Sequence, residues 1–281
     1  MIRLIPKLEI KGPNLVKGVQ LEGLRVLGKP WNFAKYYYKC GADELIFQDV
    51  VASLYGRNTL NEIIKKTSKE IFVPLTVGGG IRSLNDIEQV LHSGADKVSL
   101  NTMAVKNPHL IYEAAKTFGS STIVIAIEYL RNLDGDYFIF TDNGREKTGI
   151  NAMDWISKIQ DLGSGEIIIT SIERDGTGRG LDIDFLKKIE DKINVPLIIN
   201  GGASCSEDLI KAFNFSSLNG VALGSILHYE FLKMQPVNED HFSDEGNIDF
   251  IKKNSRYSKF GHYNLKKIKR EILDNGINCR V

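Results

Sequence analysis

Eight short β-branched runs, a helical segment after nearly every one, and an internal repeat of glycine-bearing phrases predict an α/β fold, a single (β/α)8 TIM barrel built from two similar half-barrels. The runs fall at 3–10, 44–50, 74–78, 97–101, 122–128, 166–172, 196–200 and 220–224. Helical spacing of apolar residues follows at 32–38, 58–68, 83–91, 107–117, 151–162, 182–189 and 206–213, several of these opened by Asn, Ser or Asp as caps. The last helix, 264–273, is delayed behind a polar stretch. Runs such as Ile123-Val124-Ile125-Ala126-Ile127 are apolar at consecutive positions, the pattern of a sheet buried on both faces. An open doubly wound sheet would explain the glycine turns but not the repeat.

The repeat is explicit. Leu75-Thr76-Val77-Gly78-Gly79-Gly80 returns as Leu197-Ile198-Ile199-Asn200-Gly201-Gly202, and Val98-Ser99-Leu100-Asn101-Thr102 returns as Val221-Ala222-Leu223-Gly224-Ser225. In a barrel the chemistry lies where strands end at their carboxyl side. Gly79, Gly80, Asn101 and Thr102 sit there in the first half, and Gly201, Gly202, Gly224 and Ser225 in the second. Glycine lets backbone N–H groups close on an anion, a helix N-terminus adds a favourable dipole, and the Thr102 or Ser225 hydroxyl is a further donor. Asp175-Gly176-Thr177 adds another such loop, able to hold hydroxyl or phosphate groups. Two cradles imply a substrate with two phosphates.

A net charge of +1 over 281 residues gives no broad basic field for nucleic acid or a membrane surface, so an anionic ligand must be small and gripped locally. Cys40, Cys205 and Cys279 are too few and scattered for a zinc site or a disulfide framework, and His228, His241 and His262 lack ligand spacing. No metal or cofactor is assigned. The N-terminal residues lack a signal-peptide core and no apolar run approaches the ~20 residues of a membrane span, so the expected location is cytoplasmic.

Glu9 and Glu128 close the apolar strands 3–10 and 122–128, which lie opposite each other in an eight-stranded barrel. Facing one another between two phosphate cradles, they are candidates for a general acid and a general base. At the other end, Arg3, Glu44, Lys97 and Glu166 open four strands and should converge in the barrel interior, two acids pairing two bases. The stretch 11–30, with Lys17 and several glycines, reads as a mobile lid.

The phrases Leu15-Val16-Lys17-Gly18, Thr76-Val77-Gly78-Gly79-Gly80-Ile81, Ala95-Asp96-Lys97-Val98-Ser99-Leu100-Asn101-Thr102, Ser171-Ile172-Glu173-Arg174-Asp175-Gly176-Thr177 and Ile199-Asn200-Gly201-Gly202-Ala203 resemble the cyclase subunit of imidazole glycerol phosphate synthase, over about 1–230 and again at 262–280. The resemblance implies a duplicated barrel that takes ammonia from a glutaminase partner. It also implies cleavage and cyclisation of a bisphosphorylated ribulosyl nucleotide, giving imidazole glycerol phosphate and aminoimidazole carboxamide ribotide. It matches Arg3, Glu44, Lys97 and Glu166 to the ammonia gate, Lys17 to the substrate loop and Asp96 to the partner face. The catalytic aspartates of the family correspond to Glu9 and Glu128, each longer by one methylene. Lys7 stands where the family usually carries a smaller residue, and could tune the neighbouring carboxylate or reach an anion.

A polar insertion at 229–261, including Pro236, Glu239-Asp240 and Lys252-Lys253, should emerge on the active-site side. Two other readings stay open: a paralogue using the ammonia to amidate a nucleotide sugar for surface polysaccharide, and a non-catalytic activator of a glutaminase.

Overall fold

The computed structural model describes residues 1–52, 60–234 and 260–280. Eight parallel strands close into a barrel: β1 (Arg3–Lys11), β4 (Leu45–Asp49), β5 (Leu75–Gly78), β6 (Lys97–Leu100), β7 (Ile123–Arg131), β10 (Glu166–Ser171), β11 (Leu197–Asn200) and β12 (Leu218–Leu223). Each pairs with the next, β12 pairs with β1, and β7 pairs with β10 across the junction of the halves. All eight expected strands are present, with ends moved by one to three residues.

The expected helices are also present, at Pro30–Lys39, Leu60–Ser68, Leu84–His92, His109–Phe118, Ala152–Asp161, Ile183–Ile189, Ser206–Ala212 and Leu265–Asp274. Ser83, Asn151, Asp182 and Asn264 cap four of them, each side chain accepting a first-turn N–H. Among the described residues, two α-helices go beyond the sequence reading. Thr102–Lys106 is one short turn after β6, and Ser225–Met234 follows β12 directly. The first residues of the stretch expected as an insertion, 229–234, belong to this helix, in which Ile226 to Phe231 are buried. Residues 235–259, with His241, Pro236, Glu239, Asp240, Lys252 and Lys253, lie outside the described residues.

The stretch read as a mobile lid forms an antiparallel hairpin whose register shifts between Leu15 and Val16 and between Lys17 and Val19. β2 (Asn14–Val19) pairs with β1 and with β3 (Glu22–Gly28), and β2 is almost wholly buried. A second hairpin, β8 (Tyr137–Thr141) and β9 (Glu146–Asn151), extends β7 in the same way. The two halves of the molecule thus each continue their first strand into a hairpin above the barrel mouth.

Inside the barrel Ile5, Ile46, Val124, Ile168, Ile198 and Ala222 form a separate apolar layer, while a larger core fills the space between sheet and helices. Side chains alternate along each strand, so Arg3, Ile5, Lys7 and Glu9 of β1 share one face. Since Ile5 belongs to the interior layer, that face points to the barrel axis.

Candidate active site

At the amino-terminal end of the barrel the four predicted charges meet. The Arg3 guanidinium donates to Glu44 at 2.9 Å and to Glu166 at 2.5 Å, and the Lys97 ammonium reaches Glu44 at 3.0 Å and Glu166 at 2.9 Å. Thr76 adds a 2.8 Å hydrogen bond to Glu44. Two cations and two buried carboxylates form a closed alternating ring, so no charge is left uncompensated where the interior would penalise it. Asp96 is exposed beside the ring; its carboxylate accepts from the Leu75 N–H at 2.8 Å, securing the start of β5.

At the opposite end the glycine loops wall two cavities. One, about 150 Å³, is lined by Gly79, Gly80, Asn101 and Thr102 together with Arg82, Lys106 and Glu128. The other, about 20 Å³, is lined by Asp175, Gly176, Gly201, Gly202, Gly224 and Ser225, and is narrowed by Lys17 and Phe260. Gly79 shows why a side chain is excluded: at φ 101° a Cβ would lie 2.3 Å from the Asp49 carbonyl oxygen. Ser225 opens the helix 225–234 and its hydroxyl is buried without a hydrogen-bond partner among the described residues, a donor free for an anion in the smaller cavity. Thr102 is engaged already, its hydroxyl accepting from the Asp142 N–H at 3.1 Å.

Thr177 is the one predicted binding residue that reaches neither cavity. Its hydroxyl donates to the Arg174 carbonyl at 2.7 Å and accepts from the Arg179 N–H at 3.3 Å, so it shapes its own loop. The side-chain hydrogen bonds of a turn, invisible in a tripeptide phrase, decide this.

Between the cavities lie the two glutamates, both buried. Glu9 receives the Lys17 ammonium on both oxygens, at 2.8 and 2.9 Å, and Lys17 also reaches Asp175 at 2.7 Å. Lys7 approaches Glu9 at 3.5 Å. Lys17 is thus fixed within β2 as a bridge between two carboxylates, with its stem on the wall of the smaller cavity. Burial works against ionisation of Glu9, but Lys17 and Lys7 outweigh it and hold the carboxyl below its ordinary range. Burial likewise opposes charge on Lys17, yet Asp175 and Glu9 raise its pKa above that of a free lysine.

Glu128 sits differently. It has no ion pair among the described residues and accepts one N–H, from Gly144 in the β8–β9 turn, at 2.8 Å. Burial pushes its pKa up to about 7, with Lys7 and the Gly144 N–H pulling down and Glu9 and Asp175 pushing up. The surroundings thus favour the anion at Glu9 and the protonated form at Glu128, the division that a general base and a general acid require.

Sequence reasoning missed several contributors. Gly144 and Asn143 were hidden in an unassigned stretch, although Asn143-Gly144 after the aromatic and β-branched run Tyr137-Phe138-Ile139-Phe140-Thr141 is a turn signal. His228 is fully buried, with Nε2 3.0 Å from the Lys7 carbonyl oxygen and Nδ1 2.6 Å from the Tyr37 hydroxyl. Burial, with Lys17 nearby, lowers its pKa to about 3, so the ring is neutral.

Residues 3–233 match the family described as histidine biosynthesis protein. Among curated relatives, the imidazole glycerol phosphate synthase subunit HisF of Legionella pneumophila is 52% identical over 207 residues, covering 74% of this chain and 98% of that protein. The subunit of the same name from Alkaliphilus metalliredigens is 44% identical over 81% of this chain and 90% of its own length. That of Lactococcus lactis subsp. cremoris is 40% identical over 89% and 97%. Closed barrel, paired glycine cradles, opposed carboxylates and these similarities agree: the chain belongs to the histidine biosynthesis family of HisF subunits of imidazole glycerol phosphate synthase.

Proposed function

We propose that this chain is an ammonia-dependent cyclase that converts a bisphosphorylated ribulosyl nucleotide to imidazole glycerol phosphate and aminoimidazole carboxamide ribotide. The observation that carries the reading is the pair of buried glutamates in unlike surroundings, Glu9 held by Lys17 and Lys7 and Glu128 by one backbone N–H, set between two glycine-walled cavities at one mouth of the barrel. Gly79, Gly80, Asn101 and Thr102 hold one phosphate. Gly201, Gly202, Gly224 and Ser225, with Asp175 and Gly176, hold the other. Glu9 takes a proton as the incoming ammonia adds and Glu128 gives one to the departing group. Lys17 orients Glu9 and completes the wall of the second cradle.

The ring of Arg3, Glu44, Lys97 and Glu166 is the entry for ammonia, and a glutaminase docks over that end, Asp96 included. Neutral ammonia then crosses the apolar layer of Ile5, Ile46, Val124, Ile168, Ile198 and Ala222, which offers no acceptor for ammonium.

The test is turnover of the bisphosphorylated ribulosyl carboxamide nucleotide with excess ammonium salt from neutral to alkaline pH, followed by loss of substrate absorbance. Glu9→Gln and Glu128→Gln should each lower turnover by about 10²–10⁴-fold. A folded wild-type protein that binds inorganic phosphate but shows no turnover would refute the cyclase and turn attention to amidation of a nucleotide sugar.

A further inference from the structure

Lys7 is buried on the axial face of β1, one side-chain layer beneath Glu9 and directly above the layer of Ile5. A lysine there is costly unless its charge has work in the fold. Its nearest anion is Glu9, 3.5 Å away, and Glu9 is already held on both oxygens by Lys17.

Lys7 changes the charge balance of this cluster. Lys17 is one cation shared between two buried anions, Glu9 and Asp175. Lys7 makes the group two against two, which leaves Glu128 as the carboxyl with no cation of its own. Remove Lys7 and the cluster is one cation short, so Glu9 would compete with Glu128 for the proton.

The backbone of Lys7 is fixed as carefully as its side chain. Pairing of β1 with β12 ends at Pro6 and Leu223, and the next carbonyl on β1, that of Lys7, meets His228 instead. Because that carbonyl can only accept, Nε2 of His228 carries the hydrogen, and Nδ1 accepts from the Tyr37 hydroxyl. A neutral, doubly bonded imidazole therefore pins the strand at the lysine.

We infer that Lys7 is a positioning residue of the acid–base pair: its ammonium, 3.5 Å from Glu9 on a strand that the Tyr37–His228 pair pins at the Lys7 carbonyl, joins Lys17 in keeping Glu9 an anion. This deepens the roles proposed above and, for its effect on turnover, rests on them. The other charged groups facing the pair are Lys17 from β2 and Asp175 from the loop after β10, with Asp49, Arg82 and Lys106 around the larger cavity; Gly144 contributes its N–H and His228 is neutral. Of these cations, Lys17 and Lys7 lie against Glu9, at 2.8 and 3.5 Å, and Arg82 and Lys106 share the larger cavity with Glu128.

The experiment is ¹³C-NMR titration of glutamate side-chain carboxyls in the full chain, with Glu9 and Glu128 assigned by their Gln variants. Lys7→Met should raise both titration midpoints by at least about one pH unit, and Lys7→Arg should restore them. Unmoved midpoints in a folded Lys7→Met protein overturn the inference, and Lys7→Gln provides the same test if the Met variant does not fold. In the turnover assay the pH profile of Lys7→Met should shift upward as a whole, whereas a merely structural role would lower its height in place. Midpoints that move in a protein without turnover would uphold Lys7 and refute the cyclase; turnover with fixed midpoints would do the reverse.

Discussion

A carboxyl buried with one backbone donor and no cation prefers to keep its proton, and Glu128 is such a group. Its pKa stands near 7 in the fold against 4.5 for an unstrained glutamate, so ionisation opposes folding. The penalty is absent below the unfolded pKa, grows as pH rises between the two values and is complete above about 7. Glu128→Gln should therefore be more stable than wild type at pH 8, on the order of 3 kcal/mol, with no difference at pH 4; urea unfolding at both pH values would show it. In the proposed role of general acid, the same group would also set the pH dependence of the rate. Turnover corrected for the fraction of free ammonia should fall as pH passes about 7 and Glu128 loses its proton, measured as a pH profile of kcat. The carboxylates were legible in the sequence as opposed strand ends, but their unlike states were not. Those states depend on Lys17 and Lys7 converging on one of them, which strand patterning does not show.

At the level of elements, the two hairpins meet over the mouth. The Asn143 side-chain amide donates to the Leu21 carbonyl at 3.2 Å, Arg145 pairs with Glu22 at 3.3 Å, and the Gln20 N–H reaches the Asp175 carbonyl at 2.8 Å. These contacts lock the β2–β3 tip to the β8–β9 tip and to the loop carrying Asp175. Gly144 lies at the junction, at φ 76°, and a Cβ there would stand 2.9 Å from a Leu21 methyl. Gly144→Ala should cost about 1–2 kcal/mol from the backbone conformation alone and draw its N–H away from Glu128. Thermal unfolding would report the first effect, and an upward move of the Glu128 titration the second. From sequence, the glycines of 11–30 read as a mobile lid and the second hairpin went unassigned. Hairpin pairing rests on register with β1 and β7, a long-range fact, while glycine content is a local one.

Across the whole molecule, the interior is stratified along the axis: a closed ion ring, an apolar layer, Lys7, and then the glutamates. The ring is the vulnerable layer, since Glu44 and Glu166 are buried and share two cations. Lys97→Met should destabilise the fold by about 3 kcal/mol or more, seen in denaturant unfolding, and pairing it with Glu44→Gln should recover part of that loss. With a glutaminase bound, Lys97→Met should impair glutamine-driven turnover more than turnover with ammonium salt. The sequence by itself determined the barrel, its two-fold repeat, the glycine cradles and the four charges of the ring, because strand and helix periodicity and glycine turns are written locally and the repeat writes them twice. Only the tertiary structure decided that Lys17 is a bridge, that Thr177 faces its own loop, that Lys7 and His228 sit beneath the site, and that Glu9 and Glu128 differ. Each of these follows from burial and from charges brought together across the barrel, and the energy of a buried charge belongs to its surroundings rather than to its place in the chain.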